Sequence, residues 1–157
     1  MPPTSSQIET ELHAVLAELL RTSGAARTTL RLDDAARGWG VDFVCAEALT
    51  QGAKSLRNEG SINQRAAETV QWLARERRNL IQPDLLNHPS PAPPPALLKF
   101  YGATAQMLGP ILDGTGYLAG WISAHYTNGA HSFTDAEISA LDGARARVAR
   151  LIGLASG

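Results

Sequence analysis

The chain has 157 residues, a formal net charge of −1 and one cysteine, Cys45. This length suits one domain, which we expect to cover residues 1–157 with a core at about 8–153. A nearly neutral chain has no general field that attracts nucleic acid or anionic membranes, and one cysteine excludes an internal disulfide framework. We therefore expect a cytoplasmic protein with neither nucleic-acid nor membrane partners.

The first predicted element is an amphipathic helix over about residues 6–22. Ser6 and Glu9 have the spacing of a capping box, in which two side chains satisfy free backbone N–H groups of the first turn. Apolar residues at helical spacing form a stripe made of Ile8, Leu12, Val15, Leu16 and Leu19. Gly24 provides a stop, so the stripe predicts one buried helix face.

Short strands and one helix are predicted for the middle of the chain. Residues 28–32 and 41–47 are expected to pair as a hairpin with a long connection. Residues 53–62 are expected to form a loop, and a second helix is predicted over about 64–78. A short strand at 79–82 follows.

Five prolines crowd the end of the segment 87–95. Proline has no backbone N–H for a helix or an inner strand, so this segment predicts an exposed, stiff loop. Recognition by a proline-binding partner is the alternative. Residues 96–101 are expected to form a short helical turn that brings the chain back.

The last part of the chain predicts a hairpin and a final helix. Strands at 105–112 and 117–126 are joined by a Gly-rich turn. Thr134 and Glu137 form a second capping box at the start of the helix, whose apolar residues include Leu141, Val148 and Ile152. Because neighbouring strands meet in hairpins, we expect an α+β fold with a mostly antiparallel sheet.

Sequence motifs of the common enzyme classes are absent, so we expect a protein that is not an enzyme. His125 and His131 are six residues apart and would need further ligands to hold a metal, so no metal site is expected. Cys45 is expected to be a small buried side chain. A redox or enzymatic role for Cys45 or His125 is kept as an alternative.

The last predicted strand carries the most informative polar pattern. Alternation places Trp121, Ser123 and His125 on one face, and the other face takes Leu118, Gly120, Ile122 and Ala124. A flat ring beside a hydroxyl and an imidazole suits a small-molecule pocket. The alternative is that these side chains satisfy one another beneath a loop.

The apolar stripes of the two terminal helices suggest a homodimer. If both helices lie on one sheet face, some apolar surface remains for a second copy, which would cover it as a helical bundle. Packing within one chain is the competing interpretation. The candidate interface residues are Leu12, Leu16, Leu19, Leu141, Val148 and Ile152.

Three stretches resemble the GAF domain family, which comprises small sensory modules of bacterial signalling proteins. They are residues 23–33, residues 106–114, and residues 118–125 together with the Phe-Thr-x-x-Glu start of the last helix at 133–137. The resemblance covers about residues 8–153.

The resemblance implies a central antiparallel sheet with the terminal helices on one face. A segment at about 64–101 would cover a ligand pocket on the other face. The pocket residues that it implies are Asp84, His88, Tyr101, Trp121, Ser123 and His125.

The implied function is sensing of a small molecule whose identity is unknown, by a homodimer that acts on an unidentified signalling protein. No cofactor is identified: Cys45 lies on an early strand, away from the pocket-side region where phytochrome-type members attach bilin. The signature of cyclic-nucleotide-binding members does not match either. A protein-interaction module with a pocket filled by its own side chains is the alternative.

Overall fold

The computed structural model describes residues 4–154, which contain four α-helices and five strands. In chain order these are α1 (Ser5–Ser23), β1 (Arg27–Leu32), β2 (Ala46–Leu49), α2 (Glu68–Glu76), β3 (Leu80–Gln82), α3 (Pro95–Lys99), β4 (Ala105–Leu112), β5 (Leu118–Tyr126) and α4 (Asp135–Leu151). Short 3-10 turns lie at Ala35–Arg37 and Gln64–Ala66.

The strands form one sheet in the order β2-β1-β5-β4-β3, and every neighbouring pair is antiparallel. The predicted α+β class and both predicted hairpins are therefore confirmed. The central position of β5 means that it pairs with β1 on one side and β4 on the other. All of its residues are buried.

The two faces of the sheet differ in chemistry because the strand residues alternate. One face is apolar and packs against α1 and α4, with contributions from Leu30, Met107, Ile111, Ile122 and Ala124. The other face carries polar side chains at alternate positions of β1, β4 and β5. The connection between β2 and β4, apart from β3, lies on this second face; we call residues 50–79 and 83–104 the cover.

The predicted dimer residues are part of the core of a single chain. Leu12, Leu16, Leu141 and Val148 have no exposed surface, and Leu19 is 3% exposed. Both apolar stripes are used within the chain, because α1 and α4 pack on each other and on the sheet. These residues are therefore corrected to core positions; Ile152 is partly buried against the same core.

Two predicted elements are displaced from where the sequence placed them. The second strand, expected at 41–47, is observed at Ala46–Leu49, because Val41 N bonds the Asp33 carboxylate and holds the preceding residues in a loop. The helix expected at 64–78 ends at Glu76, since Arg77 adopts a left-handed conformation with φ of 58°.

A β-bulge corrects the predicted alternation in β5. Ile111 pairs with Gly120 and Leu112 pairs with Leu118, so two residues of β5 face one of β4 there. The extra residue turns Leu118 onto the face of Trp121, and Leu118 packs with Trp121 rather than with the terminal helices.

Helix capping explains where the terminal helices begin. Thr4 and Gln7 form the capping box of α1, two residues before the expected pair Ser6 and Glu9. The predicted box of Thr134 and Glu137 at α4 is confirmed. Within residues 4–154, no helix is both long and apolar enough to cross a membrane.

The Thr134→Ala variant tests the α4 cap. Loss of the hydroxyl that accepts from Glu137 N should lower the free energy of unfolding by about 1 kcal/mol. That is a fall in melting temperature of about 2–4 °C for a chain of this size. Ser139→Ala, at an exposed position of the same helix, is the matched control and should leave the melting temperature unchanged or slightly higher. Equal melting curves for wild type and Thr134→Ala would contradict the assigned cap.

Candidate functional site

A row of four buried polar side chains crosses the sheet face beneath the cover. Arg27 lies opposite His125, His125 opposite Gln106, and Gln106 opposite Gln82. Arg27 Nε donates to His125 Nδ1 at 2.9 Å, and Gln106 Nε2 donates to Gln82 Oε1 at 2.7 Å. Gln82 Nε2 in turn donates to the carbonyl of Pro91 at 2.7 Å. The row thus joins four strands to the proline-rich loop.

His125 is held as a neutral ring with a defined tautomer. Burial, reinforced by the charges of Arg27 and Arg31, keeps the pKa of His125 well below its usual value of 6.5. Because Nδ1 accepts from Arg27, the single proton of the neutral ring must lie on Nε2. His125 therefore offers an N–H donor from its other ring atom.

A cavity lies between this sheet face and the cover. The space open to the centre of a water-sized sphere is about 40 Å³. The sheet contributes Thr29, Arg31, Gln106, Leu108, Trp121, Ser123 and His125, and the cover contributes Leu56, Ile62, Gln64, Thr69, Val70, Pro94, Leu97 and Tyr101. The wall therefore combines apolar surface with several donors, and among the described residues 4–154 it contains a cation but no carboxylate.

Arg31 is the cation in the cavity wall, and it is 4% exposed. Its Nη1 donates to the Val41 carbonyl at 3.0 Å, which is the only side-chain hydrogen bond of Arg31 within residues 4–154. Burial lowers the pKa of Arg31 to about 10, so the guanidinium remains charged at neutral pH. Gly120 makes room for this stretch of β1, because a Cβ there would lie 2.0 Å from the Arg31 carbonyl oxygen.

Polar contacts within the cover, and one between the cover and β2, hold it in place over the cavity. Tyr101 donates its hydroxyl to Glu59 at 2.9 Å, and Lys54 Nζ donates to the Phe100 carbonyl at 3.0 Å. Glu47, on β2, accepts from Leu56 N at 2.7 Å. Beneath these contacts an apolar cluster that includes Leu56 and Leu97 closes the space. The cavity is therefore enclosed by side chains from both layers.

Four of the six predicted pocket residues line this cavity: Tyr101, Trp121, Ser123 and His125. The other two do not. Asp84 accepts from Leu86 N at 3.0 Å within its own turn, and His88 is an exposed loop residue with φ of 51°. Neither Asp84 nor His88 is among the residues of the cavity wall, although Pro94 of the same connection is.

The sequence reasoning missed Arg31, Thr29, Gln106 and Gln64. The burial of Arg31 is not predicted because a charged residue in a short strand is expected to face water. A signal was present in the strand Arg-Thr-Thr-Leu-Arg-Leu, where Arg27, Thr29 and Arg31 alternate with Thr28, Leu30 and Leu32. All six are buried, so this strand has one polar buried face and one mainly apolar buried face.

The groups considered for redox or metal chemistry lie elsewhere. Cys45 borders a surface groove with Trp39, Phe43 and Arg57, and burial raises the pKa of its thiol to about 12, which disfavours the reactive thiolate. His131 pairs with Glu137 at 2.9 Å and stacks on Tyr126. Within residues 4–154, no group of three His, Cys, Asp or Glu side chains is arranged to hold a metal ion.

The comparisons with known proteins agree with this architecture. The family model described as GAF domain matches residues 7–155, so the chain belongs to the GAF domain family. None of the curated proteins compared with the sequence matches it.

Solved structures with the same fold include photoreceptor domains. A structure of the cyanobacteriochrome receptor PixJ aligns with a TM-score of 0.73 and 15% identity, covering 93% of this chain and 95% of that one. The photoproduct state of GAF3 from Slr1393 of Synechocystis sp. PCC6803 gives 0.70 and 15%, with coverage of 93% and 97%. The chromophore-binding domain of the bacteriophytochrome RpBphP3 from R. palustris gives 0.71 and 20%, with coverage of 93% and 55%.

The protonation state of His125 is testable through pH-dependent stability. A histidine whose pKa is lowered by folding takes up a proton more readily when unfolded, so stability should fall as pH drops below 6.5. The expected loss is about 1.4 kcal/mol per pH unit while the folded ring stays neutral. Urea unfolding of wild type and His125→Gln at pH 7.0 to 5.5 measures it, because glutamine still accepts from Arg27 and does not titrate.

The matched control is His88→Gln, at an exposed position, which should keep the wild-type slope. A wild-type slope equal to that of His125→Gln would show that the folded ring titrates normally, contrary to the assigned neutral state.

Proposed function

We propose that this chain is a sensory domain that binds a small molecule in the cavity between the polar sheet face and the cover. The observation that carries the proposal is the composition of the cavity wall. Trp121, Leu108 and Val70 provide apolar surface, while Arg31 and His125 provide fixed donors. Small-molecule sites combine predominantly apolar walls with a few placed polar groups in this way.

The size of the cavity favours a small ligand. The cavity volume of about 40 Å³ is several times smaller than the sites of about 300–1,000 Å³ that drug-sized ligands occupy. A chromophore such as the biliverdin bound by one structural relative is far larger than this space. Cys45 also lies outside the cavity wall. These observations support a compact metabolite rather than a tetrapyrrole as the ligand.

Transmission of the signal would use the two faces of β5. Ser123 and His125 line the cavity, whereas the residues between and beside them, Ile122, Ala124 and Tyr126, pack in the core with the terminal helices. A ligand that displaces β5 would therefore also repack α1 and α4. Such a switch requires the ligand to bind one helix arrangement more tightly than the other.

We also propose that the domain forms a homodimer and acts on a signalling protein. Because the apolar stripes of α1 and α4 are used within the chain, a dimer would have to be formed by other surface residues. We keep an interaction module with a filled pocket as the second candidate, since the small size of the cavity favours it.

A thermal-shift screen with Trp121→Ala tests ligand binding. A bound metabolite at about 100 times its Kd adds about 2.7 kcal/mol to the stability of wild type, a rise in melting temperature of about 5–10 °C. Removal of the indole, which is 3% exposed in the cavity wall, should abolish the rise. Trp121→Phe keeps an aromatic ring and should retain part of it.

Trp39→Ala is the matched control, because Trp39 lies outside the cavity beside Arg37. It should keep the full ligand response. A library of compact organic acids, amides and nucleosides that leaves the wild-type melting temperature unchanged would overturn the proposal in favour of the interaction module.

A further inference from the structure

We propose that the ligand is a small carboxylic acid whose carboxylate binds Arg31. This inference rests on the proposed function and names the chemical class of the molecule that the cavity takes. The site is built by Arg31, Thr29 and Ser123 on the sheet, with Trp121 and Leu108 beside them.

The first observation is the isolation of the Arg31 charge. Seven ion pairs occur within residues 4–154, and Arg31 takes part in none of them. A guanidinium has five N–H donors, and only the bond to the Val41 carbonyl is formed. Buried charges in proteins are normally paired, because removal of an ion from water is costly. An anion that pairs with Arg31 is therefore expected from outside the chain.

Arg27 provides an internal comparison on the same face of β1. It has no exposed surface, yet it donates to His125 Nδ1 at 2.9 Å and to the Lys54 carbonyl at 2.8 Å. Longer contacts of 3.4 Å reach the carbonyl of Tyr101. Arg27 thus holds the cover to the sheet with its donors, whereas Arg31 keeps most of its donors free beside open space.

The acidic side chains nearest to Arg31 are engaged by other groups. Asp42 accepts from Gln64 N at 3.0 Å, and Glu59 accepts from the hydroxyl of Tyr101 at 2.9 Å. Glu47 accepts from Ser55 and from Leu56 N. All three raise the pKa of Arg31 through their charge, but none forms an ion pair with it. The local field is therefore partly balanced, while the other guanidinium donors of Arg31 stay available to an oxyanion.

The register of β1 and β5 places further donors beside the guanidinium. Arg31 pairs with Trp121, and Thr29 pairs with Ser123 in the next row on the same face. His125 follows one row later and carries its proton on Nε2. A carboxylate beside Arg31 would thus have two hydroxyls and an imidazole N–H further along the wall. Donors of this kind favour a negatively charged group over a cation.

The volume and the remaining wall define the rest of the molecule. A cavity volume of about 40 Å³ matches a carboxylate with a very short carbon chain. Val70, Leu97 and Leu108 would contact that apolar part, and a larger organic body would require the cover to move outward at Leu97. Acetate therefore fits the cavity as it stands, and benzoate tests whether the cover opens.

The experiment compares acids with their uncharged amides. Acetate and benzoate, acetamide and benzamide, and inorganic phosphate are titrated at pH 7 into wild type, Arg31→Met and Arg31→Lys, with NaCl at matched ionic strength as the reference. Arg78→Met, at an exposed position, is the matched control. Melting temperature and calorimetric Kd are the readouts.

The acids should stabilise wild type and Arg78→Met, and the amides should not. For whichever acid binds wild type more tightly, affinity should fall about 10- to 100-fold in Arg31→Met. The fall should be smaller in Arg31→Lys, which keeps the positive charge but not the planar guanidinium. If phosphate binds more tightly than either acid, Arg31 still forms an anion site, but the ligand is a phosphate compound and the carboxylate assignment is wrong.

Two results would overturn the inference and leave the proposed function standing. One is stabilisation by an amide or another neutral compound without stabilisation by the acids. The other is stabilisation by the acids that is equal in wild type and Arg31→Met. A flat response to every acid, amide and phosphate here, together with a flat metabolite screen, would overturn both.

Discussion

Everything in this structure depends on the alternation of side chains along β1 and β5, the two neighbouring strands at the centre of the sheet. Each strand is buried on both faces, so every side chain must suit either the helix layer or the cover. Leu30 and Ile122 belong to the helix layer, while Arg31 and Ser123 belong to the cover side. A shift of one residue would exchange these sets, so the register and the site are fixed together.

The polar face has a cost in stability that the apolar face offsets. The helix layer buries leucine and valine side chains with almost no exposed surface, and each contributes about 1.5–3 kcal/mol. Under the cover, by contrast, two guanidinium groups and a neutral histidine are removed from water. Arg27 recovers part of its loss through bonds to three acceptors, whereas Arg31 recovers little. A local loss of folding stability of this kind is typical of binding sites.

Much of the fold could be predicted because it follows from local patterns. The capping box at Thr134 and the polar positions Ser123 and His125 in β5 could be identified from spacing alone. Arg31 could not, since its burial depends on the cover, which comes from residues far along the chain. The bulge that turns Leu118 toward Trp121 likewise follows from pairing with β4 rather than from the β5 sequence.

The dimer interface predicted on the terminal helices differs from the observed packing for a related reason. An apolar stripe indicates that a helix face is buried, but it does not say against what. Leu16 of α1 and Val148 of α4 are covered by the other terminal helix and by the sheet of the same chain. The resemblance implies Asp84 and His88 as pocket residues, but Asp84 bonds within its own turn and His88 lies in an exposed loop, so neither lines the cavity.

The central claim is that Arg31 is kept for a ligand and Arg27 for the fold. Urea unfolding of Arg31→Met and Arg27→Met in ligand-free buffer at pH 7 compares them most directly. Arg27→Met should lose about 3 kcal/mol or more, because His125 and the Lys54 carbonyl lose their donor. Arg31→Met should keep or exceed wild-type stability, since an unpaired buried charge is replaced by an apolar side chain. An equally large loss in Arg31→Met would contradict the account, because it would make Arg31 a structural residue like Arg27.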